Sequence, residues 1–203
     1  MKLPKIRELI EAIKALIVGP YTSKFPQKAH VAHPNFRGQP KFNERKCVGC
    51  CACEEVCPVY AIKHKDVIVK GSQATRTMIH YTDTCILCGE CEKACISDHE
   101  GIKLSNDWEL SFFDRKQAYE TIEKDLQLCE ICGTPIACKD HLKWIAEKIG
   151  ELSFSNPTLY QSRLRSLGIL DENIVSAIKD HARSDRLKIL CARCRRETTL
   201  TTK

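Results

Sequence analysis

Eight of the 14 cysteines occur in two copies of one spacing, with gaps of two, two and three residues between successive cysteines. The two copies are Cys47, Cys50, Cys53 and Cys57, and Cys85, Cys88, Cys91 and Cys95. Thiolates are soft ligands that suit iron–sulfur clusters, and two-residue gaps allow a tightly turning loop to surround one cluster. A repeated spacing of this specificity favours 4Fe–4S ligands over eight buried apolar side chains.

The first copy, followed by Pro58, matches the spacing of bacterial ferredoxins, in which the fourth cysteine ligates the neighbouring cluster. This resemblance implies two crossed ligand sets, which we name cluster 1 and cluster 2. Cluster 1 takes Cys47, Cys50, Cys53 and Cys95, and cluster 2 takes Cys85, Cys88, Cys91 and Cys57. Ile96 replaces the proline in the second copy, but the spacing still predicts ligation by Cys95. Cys51 is an extra thiol, which we expect not to be a ligand.

Four further cysteines form two CxxC pairs that are typical of a tetrahedral four-thiolate metal site. The pairs are Cys129 with Cys132, and Cys191 with Cys194. Gly133 permits the turn that directs backbone N–H groups toward the first pair. We predict zinc at this site, with rubredoxin-like iron as the alternative, because both metals accept four thiolates. Cys138 and His141 lie nearby in the sequence, and we expect them to be packing or surface residues.

The rest of the composition restricts the class of protein. Cysteines grouped as CxxC, without an apolar signal sequence, indicate metal-bound thiolates in a reducing cytoplasm rather than a secreted disulfide scaffold. No run approaches the roughly 20 apolar residues that cross a bilayer, so no membrane span is predicted. The sequence contains no nucleophile–base pair and no phosphate-binding loop. We therefore predict no catalytic residue, no small-molecule substrate and no chemistry beyond one-electron transfer.

The segment before the repeat combines an amphipathic helix with excess positive charge. Ile6, Leu9, Ile10, Ile13, Leu16 and Ile17 recur at helical spacing, and Gly19-Pro20 ends the predicted helix at residues 5–18. Residues 1–46 carry ten Lys or Arg against three Asp or Glu. This arm fits an anionic membrane surface or an acidic partner, and the alternative is an ordinary solvated surface. We expect it to be a docking element.

Short elements are expected to position the cysteines. Strands are predicted at residues 61–63, 67–69, 78–81, 126–128 and 187–190, a partly helical segment at 108–124, and helices at 139–149, at 156–168 and from Asp171 onward. The predicted class is α+β. We expect three parts: the docking arm at 1–46, a two-cluster ferredoxin domain at 47–124, and a metal-binding helical domain at 125–203.

The motifs together resemble a known family. The basic helix, the segment GPYTSKFP at 19–26, the paired cysteine runs and the segment NDWEL at 106–110 resemble the 23-kDa iron–sulfur subunit of respiratory complex I. They equally resemble its relatives in energy-converting NiFe hydrogenases, and the resemblance covers about residues 5–124. A tail with CxxC near its start and CxxCxR near its end is similar to the ferredoxin-like subunit of formate hydrogenlyase and hydrogenase-4-type complexes.

The resemblance implies an electron-relay subunit of a membrane-associated NiFe hydrogenase complex, which passes electrons toward the hydrogenase small subunit. It implies other subunits of such an assembly as partners, and a peripheral position on the cytoplasmic face of the inner membrane. The alternatives are a complex I subunit of the 23-kDa type and a free soluble ferredoxin. Nucleic-acid binding through Arg193, Arg195 and Arg196 is disfavoured, because no stacking aromatic residues are interleaved with these arginines.

Overall fold

The computed structural model describes residues 5–19, 28, 30–68, 74–169 and 188–200. The chain divides into two units, Met1–Phe36 and Arg37–Lys203. In the first unit, helix α1 (Ile6–Val18) occupies the residues for which an amphipathic helix was predicted. The backbone N–H of Lys5 donates to Glu8 Oε2 (3.1 Å) at its start. No residue of α1 is buried, and the side chains of Leu16 and Ile17 are 86% and 79% exposed.

The second unit combines short helices with two antiparallel sheets, which confirms the predicted α+β class. Its strands are β1 (Pro40–Phe42), β2 (Ile62–Ile68), β3 (Ala74–Tyr81), β4 (Ile102–Leu104), β5 (Tyr119–Leu128) and β6 (Pro135–Cys138). Its helices are α2 (Ala52–Glu55), α3 (Glu90–Lys93), α4 (Lys139–Ile149), α5 (Pro157–Ser166) and α6 (Ala192–Leu200). β1 pairs with β4, and the larger sheet has the order β2-β3-β5-β6.

One face of the four-stranded sheet carries the cysteine-rich loops. Met78 of β3 lies opposite Ile122 of β5, and both are buried in one apolar core with Ile62 of β2. Cys53 and Cys91 belong to the same core. Burial of a side chain such as Met78 contributes about 1.5–3 kcal/mol. The sheet is therefore the rigid support on which both cysteine runs are held.

The region after the second cysteine run differs from the sequence-based prediction. Residues 108–124 were expected to be partly helical, but the described fold has only a 3₁₀ turn at Arg115–Gln117 before the strand β5. Ile122, Lys124 and Leu126 are buried while the residues between them are exposed, which is the two-residue period of a strand. The boundary predicted between residues 124 and 125 falls inside this strand.

The remaining elements follow the sequence more closely. The strands expected at residues 61–63 and 67–69 fall within one strand, β2, as far as residues 62–68 are concerned, since pairing with β3 continues from Ile62 to Ile68. Residue 69 lies outside the described residues. α4 occupies the predicted residues, and α5 begins after Asn156, whose Oδ1 accepts from the N–H of Thr158 (3.0 Å). The helix predicted from Asp171 lies outside the described residues. Residues 188–190 form no strand, and residue 187 is outside the described part.

Within the described residues, no helix has the length and apolar character that crossing a membrane requires.

Candidate metal centres

Two cavities beside the sheet are each lined by cysteines from both repeats. Among the residues lining the first cavity are Cys47, Cys50, Cys51, Cys53 and Cys95. Among those lining the second are Cys57, Cys85, Cys88 and Cys91. Each cavity thus combines three cysteines of one run with the last cysteine of the other. The described structure brings together the same two groups of four that the crossed ligand sets contain, with Cys51 as an additional thiol in the first.

The two runs adopt the same backbone conformation. Left-handed residues occur at equivalent positions, namely Gly49 and Leu87, Cys51 and Gly89, and Tyr60 and Asp98. Non-glycine residues in this region cost about 1–3 kcal/mol each and concentrate at functional sites. The turns direct backbone N–H groups at sulfur: Leu87 donates to Cys85 Sγ (3.4 Å) and Ala61 donates to Cys57 Sγ (3.2 Å). The strained loops are therefore shaped around the cysteine side chains.

Burial acts on the protonation of these thiols. It raises the pKa of Cys53 and, to about 11, the pKa of Cys91. Cysteine ligates a metal as the thiolate, so assembly of a cluster releases protons from these side chains.

The wall of the first cavity fits a bulky inorganic group. A Cβ atom added to Gly101 would lie 2.9 Å from Cys95 Sγ and 3.2 Å from Cys47 Cα. The absence of a side chain at Gly101 therefore leaves space beside Cys47 of the first run and Cys95 of the second. Four soft thiolates per cavity are the donor set of a 4Fe–4S cluster, which would supply one-electron chemistry when bound.

Cys51 has partners of its own beneath the first loop. The Arg76 guanidinium donates from Nη1 to Cys51 Sγ and to the Gly49 carbonyl, both at 3.3 Å. Cys138 is fully buried and its thiol donates to the same carbonyl (3.4 Å). A Cβ atom at Gly49, whose φ is +69°, would lie 2.6 Å from Cys138 Sγ. The two extra thiols thus pack around the loop that carries Cys47 and Cys50.

The C-terminal cysteines also converge. The sulfur atoms of Cys129, Cys132, Cys191 and Cys194 all lie within 4.8 Å of one another. Cys129 follows β5, and Gly133 (φ +70°) turns the chain so that its N–H donates to the Cys129 carbonyl (2.9 Å). Cys194 lies in the first turn of α6. Two distant segments therefore meet at one group of thiols with tetrahedral-site spacing.

Hydrogen bonds hold the two segments of this four-cysteine group together. The N–H of Glu130 donates to the Ile189 carbonyl (3.0 Å), and the N–H of Ile189 donates to Glu130 Oε2 (2.8 Å). The Thr134 hydroxyl and backbone lower the pKa of Cys132 to about 6, whereas burial raises the pKa of Cys194 to about 12. Cys138 and His141 are outside the group, and the His141 ring lies 6.3 Å from that of Trp144.

A further group of possible ligands was not predicted from the sequence. Atoms of Cys51, Glu54 and His64 lie within 4.8 Å of one another, and His64 forms an ion pair with Glu54. The signal was the alternation along β2, which places His64 and Asp66 on the face that Ile62 buries. The sequence-based prediction divided this segment into two short strands, so it did not show that these side chains share one face.

Comparison with known proteins identifies the cysteine-rich region. Residues 46–99 match the family model described as a 4Fe-4S dicluster domain. Formate hydrogenlyase subunit 6 of Escherichia coli is 30% identical over 131 residues, which are 64% of this chain and 70% of that protein. NADH-quinone oxidoreductase subunit I 2 of Geobacter metallireducens is 30% identical over 122 residues, which are 57% of this chain and 91% of that protein.

A solved structure is also similar. It is a chain of an archaeal respiratory membrane complex, the membrane-bound sulfane sulfur reductase, with a TM-score of 0.39 and 23% identity. The similarity covers 58% of this chain and 61% of that one, which is less than two thirds of its length. Formate hydrogenlyase subunit 6 and NADH-quinone oxidoreductase subunit I 2 belong to the two related groups that the sequence motifs resemble.

Proposed function

Because this chain belongs to the family of iron–sulfur electron-transfer subunits that includes formate hydrogenlyase subunit 6 and NADH-quinone oxidoreductase subunit I, we propose that it relays electrons through two 4Fe–4S clusters. The observation that carries this proposal is the pair of cavities, each lined by four cysteines in the crossed combination. Cys47, Cys50, Cys53 and Cys95 hold cluster 1, and Cys85, Cys88, Cys91 and Cys57 hold cluster 2. Cys53 and Cys91 pack in one shared core, which supports the short separation between centres that an electron relay requires.

The proposed assembly is a membrane-associated NiFe hydrogenase complex of the formate hydrogenlyase type, with the electron passing toward the hydrogenase small subunit. The C-terminal cysteines favour this assembly. The alignment with the subunit I relative covers 91% of that protein but only 57% of this chain, so that relative is too short to contain a counterpart of the whole tail. The alternative, a complex I subunit, is favoured by the near-complete match over the shared part.

The tail holds one structural metal ion in this proposal. Cys129, Cys132, Cys191 and Cys194 supply four thiolates, which leaves no open position for substrate or water. Zinc is the expected metal and rubredoxin-like iron is the alternative. The ion joins the end of β5 to the start of α6, so its role is to fix the tail rather than to carry electrons.

Anaerobic isolation of the chain together with its native partners tests the relay. We expect about eight cluster irons and matching sulfide per chain, since each of two clusters contains four. The sample should also contain hydrogenase-type subunits. A content near four irons would contradict the two-cluster proposal, and co-purification with an NADH-oxidising module would select the complex I alternative.

Helix α1 is the proposed docking element on the cytoplasmic face of the inner membrane. Its apolar stripe is exposed, with Ile6 at 79%, and nothing in its sequence suggests cluster ligation. Deletion of residues 1–18 should leave both clusters assembled but release the subunit from its complex or membrane. Fractionation of cell extracts, with iron analysis of the released protein, measures both effects.

A matched pair of variants separates the apolar face from the rest of the helix. Ile13→Gln with Ile17→Gln alters the apolar stripe, whereas Glu11→Gln with Lys14→Gln alters the polar face without changing net charge. We expect release only in the first. Unchanged retention of the truncated or apolar-face variant would refute docking through α1.

A further inference from the structure

A row of charged side chains crosses the sheet beneath the loop that carries Cys47 and Cys50. Asp66 of β2 lies opposite Arg76 of β3, and Arg76 lies opposite Lys124 of β5. The Arg76 guanidinium donates to both Asp66 carboxylate oxygens at 2.8 Å. Lys124 Nζ donates to Asp140 Oδ2 at 3.1 Å. Two cations therefore stand side by side at the centre of the row, with a carboxylate at each end.

Both cations contact the cluster 1 loop directly. Arg76 contacts the Gly49 carbonyl and Cys51 Sγ. Lys124 Nζ donates to the Glu44 carbonyl (2.5 Å) at the start of the same loop. A Cβ atom at Gly49 would lie 3.4 Å from Lys124 Cβ. Met78, two residues after Arg76 on the same face of β3, lines the cluster 1 cavity. The charged row of Asp66, Arg76 and Lys124 thus lies beside the cluster 1 cavity.

Burial makes these positive charges effective. The side chain of Lys124 is 9% exposed and its partner Asp140 is 55% exposed, whereas Arg76 and its partner Asp66 are 14% and 20% exposed. A buried charge is screened much less than one in solvent. The Arg76–Asp66 pair places its guanidinium, not its carboxylate, against the loop. The contacts to the loop therefore come from the two cations rather than from their carboxylate partners.

The part of the sheet beside cluster 2 differs. Ile62 lines that cavity and lies opposite His80, which in turn lies opposite Glu120. Burial lowers the pKa of His80, so its imidazole is neutral at pH 7, and it raises the pKa of Glu120. Arg37 Nη1 reaches the Cys88 carbonyl (3.4 Å), but Arg37 is exposed and its charge is screened. The two clusters therefore occupy different electrostatic environments.

From this asymmetry we propose that Arg76 and Lys124 raise the reduction potential of cluster 1 above that of cluster 2. Reduction adds one electron and no proton, and a nearby buried cation stabilises the added negative charge. In the half-reduced protein the electron then resides on cluster 1. This inference rests on the proposed two-cluster function.

A redox titration of the full chain, poised with dithionite and followed by EPR, tests the inference. The wild-type protein should show two one-electron waves. Arg76→Gln should lower only the upper wave, with at least a tenfold fall in the reduced-to-oxidised ratio of cluster 1 at fixed potential, which is 59 mV for one electron. Asp66→Asn should move the same wave in the opposite direction, because it removes the opposing carboxylate.

Three further variants separate charge from structure. Arg76→Lys keeps the cation and should stay close to the wild-type potential. Lys124→Gln should lower the upper wave through an independent contact, and it carries the test if Arg76→Gln fails to assemble its clusters. Lys65→Gln is the matched control: it is exposed on β2, one residue from Asp66, and should change neither wave.

The inference would be overturned by any of three results in proteins with full iron content. These are equal potential shifts in Arg76→Lys and Arg76→Gln, a shift in the potential of the lower wave, or no shift in either potential. Such results would leave the relay itself standing. A wild-type protein with a single wave and half the iron would instead refute the proposed function.

Discussion

Replacing Cys57 with serine should remove the cluster beside Cys85, Cys88 and Cys91, and leave intact the cluster held by the run to which Cys57 belongs. The reason is that Cys57 lines the second cavity, not the first. A serine hydroxyl is a poor substitute for a soft thiolate ligand. Iron content should fall from about eight to about four per chain, because each cluster contains four irons. Iron and sulfide analysis and EPR of the anaerobic protein measure the loss.

The reciprocal variant makes this result decisive. Cys95→Ser should remove the other cluster, since Cys95 lines the cavity that contains Cys47 and Cys50. Loss of the upper redox wave in Cys95→Ser and of the lower wave in Cys57→Ser would also assign the two potentials. Cys51→Ser is the control, because Arg76 holds that thiol and both clusters should remain. If Cys57→Ser instead removed the wave assigned to the Cys47 run, the crossed assignment would be wrong.

The cysteine spacing was informative because the chemistry it encodes is local. A gap of two or three residues limits which sulfur atoms a turning loop can direct at one centre, and the structure repeats the same left-handed turns in both runs. Helices α1, α4 and α5 were predictable for the same reason, since periodicity and caps such as Asn156 act within a few residues.

Features that depend on strand pairing were not predictable. Residues 108–124 were expected to be partly helical, with Trp108, Phe112 and Phe113 as packing residues, whereas the alternation that defines β5 begins only after residue 118. The row formed by Asp66, Arg76 and Lys124 depends on the register of three strands, and a shift by one residue would direct these side chains to the other face. Sequence separation gave no indication that these charges lie together.

Convergence of the C-terminal cysteines is an intermediate case. Each CxxC pair is a local signal, but residues 132 and 191 are far apart in the sequence, and only pairing of the segments brings them together. Contact between Glu130 and Ile189 accomplishes this, with Leu190, Cys129 and Cys194 packed in one apolar cluster. The sequence therefore predicted which four cysteines form the site, but not the contacts that bring the two pairs together.

Cys191→Ser should cost the protein its C-terminal metal ion and loosen the tail, while both iron–sulfur clusters remain. Structural zinc contributes about 10–16 kcal/mol of apparent binding free energy in zinc-finger peptides, which is comparable with the roughly 5–15 kcal/mol stability of a whole domain. Besides the contacts of Ile189 with Glu130, the described tail is held by Thr158 Oγ1, which donates to the Leu190 carbonyl (2.9 Å), and by Arg195, which donates to Thr158 Oγ1 (2.8 Å). Residues 188–200 should lose protection from hydrogen exchange.

Elemental analysis and hydrogen exchange of the full chain measure both effects, with Cys138→Ser as the matched control. Cys138 lies outside the four-cysteine group, and its thiol contacts Gly49 instead, so that variant should keep the C-terminal metal. One zinc per chain beyond the cluster iron is the expected wild-type content. A ferric-thiolate absorption band would identify rubredoxin-like iron in its place. A wild-type tail that is protected from exchange while the chain contains neither metal beyond its clusters would disprove the site, because four converging thiolates would then be packing residues alone.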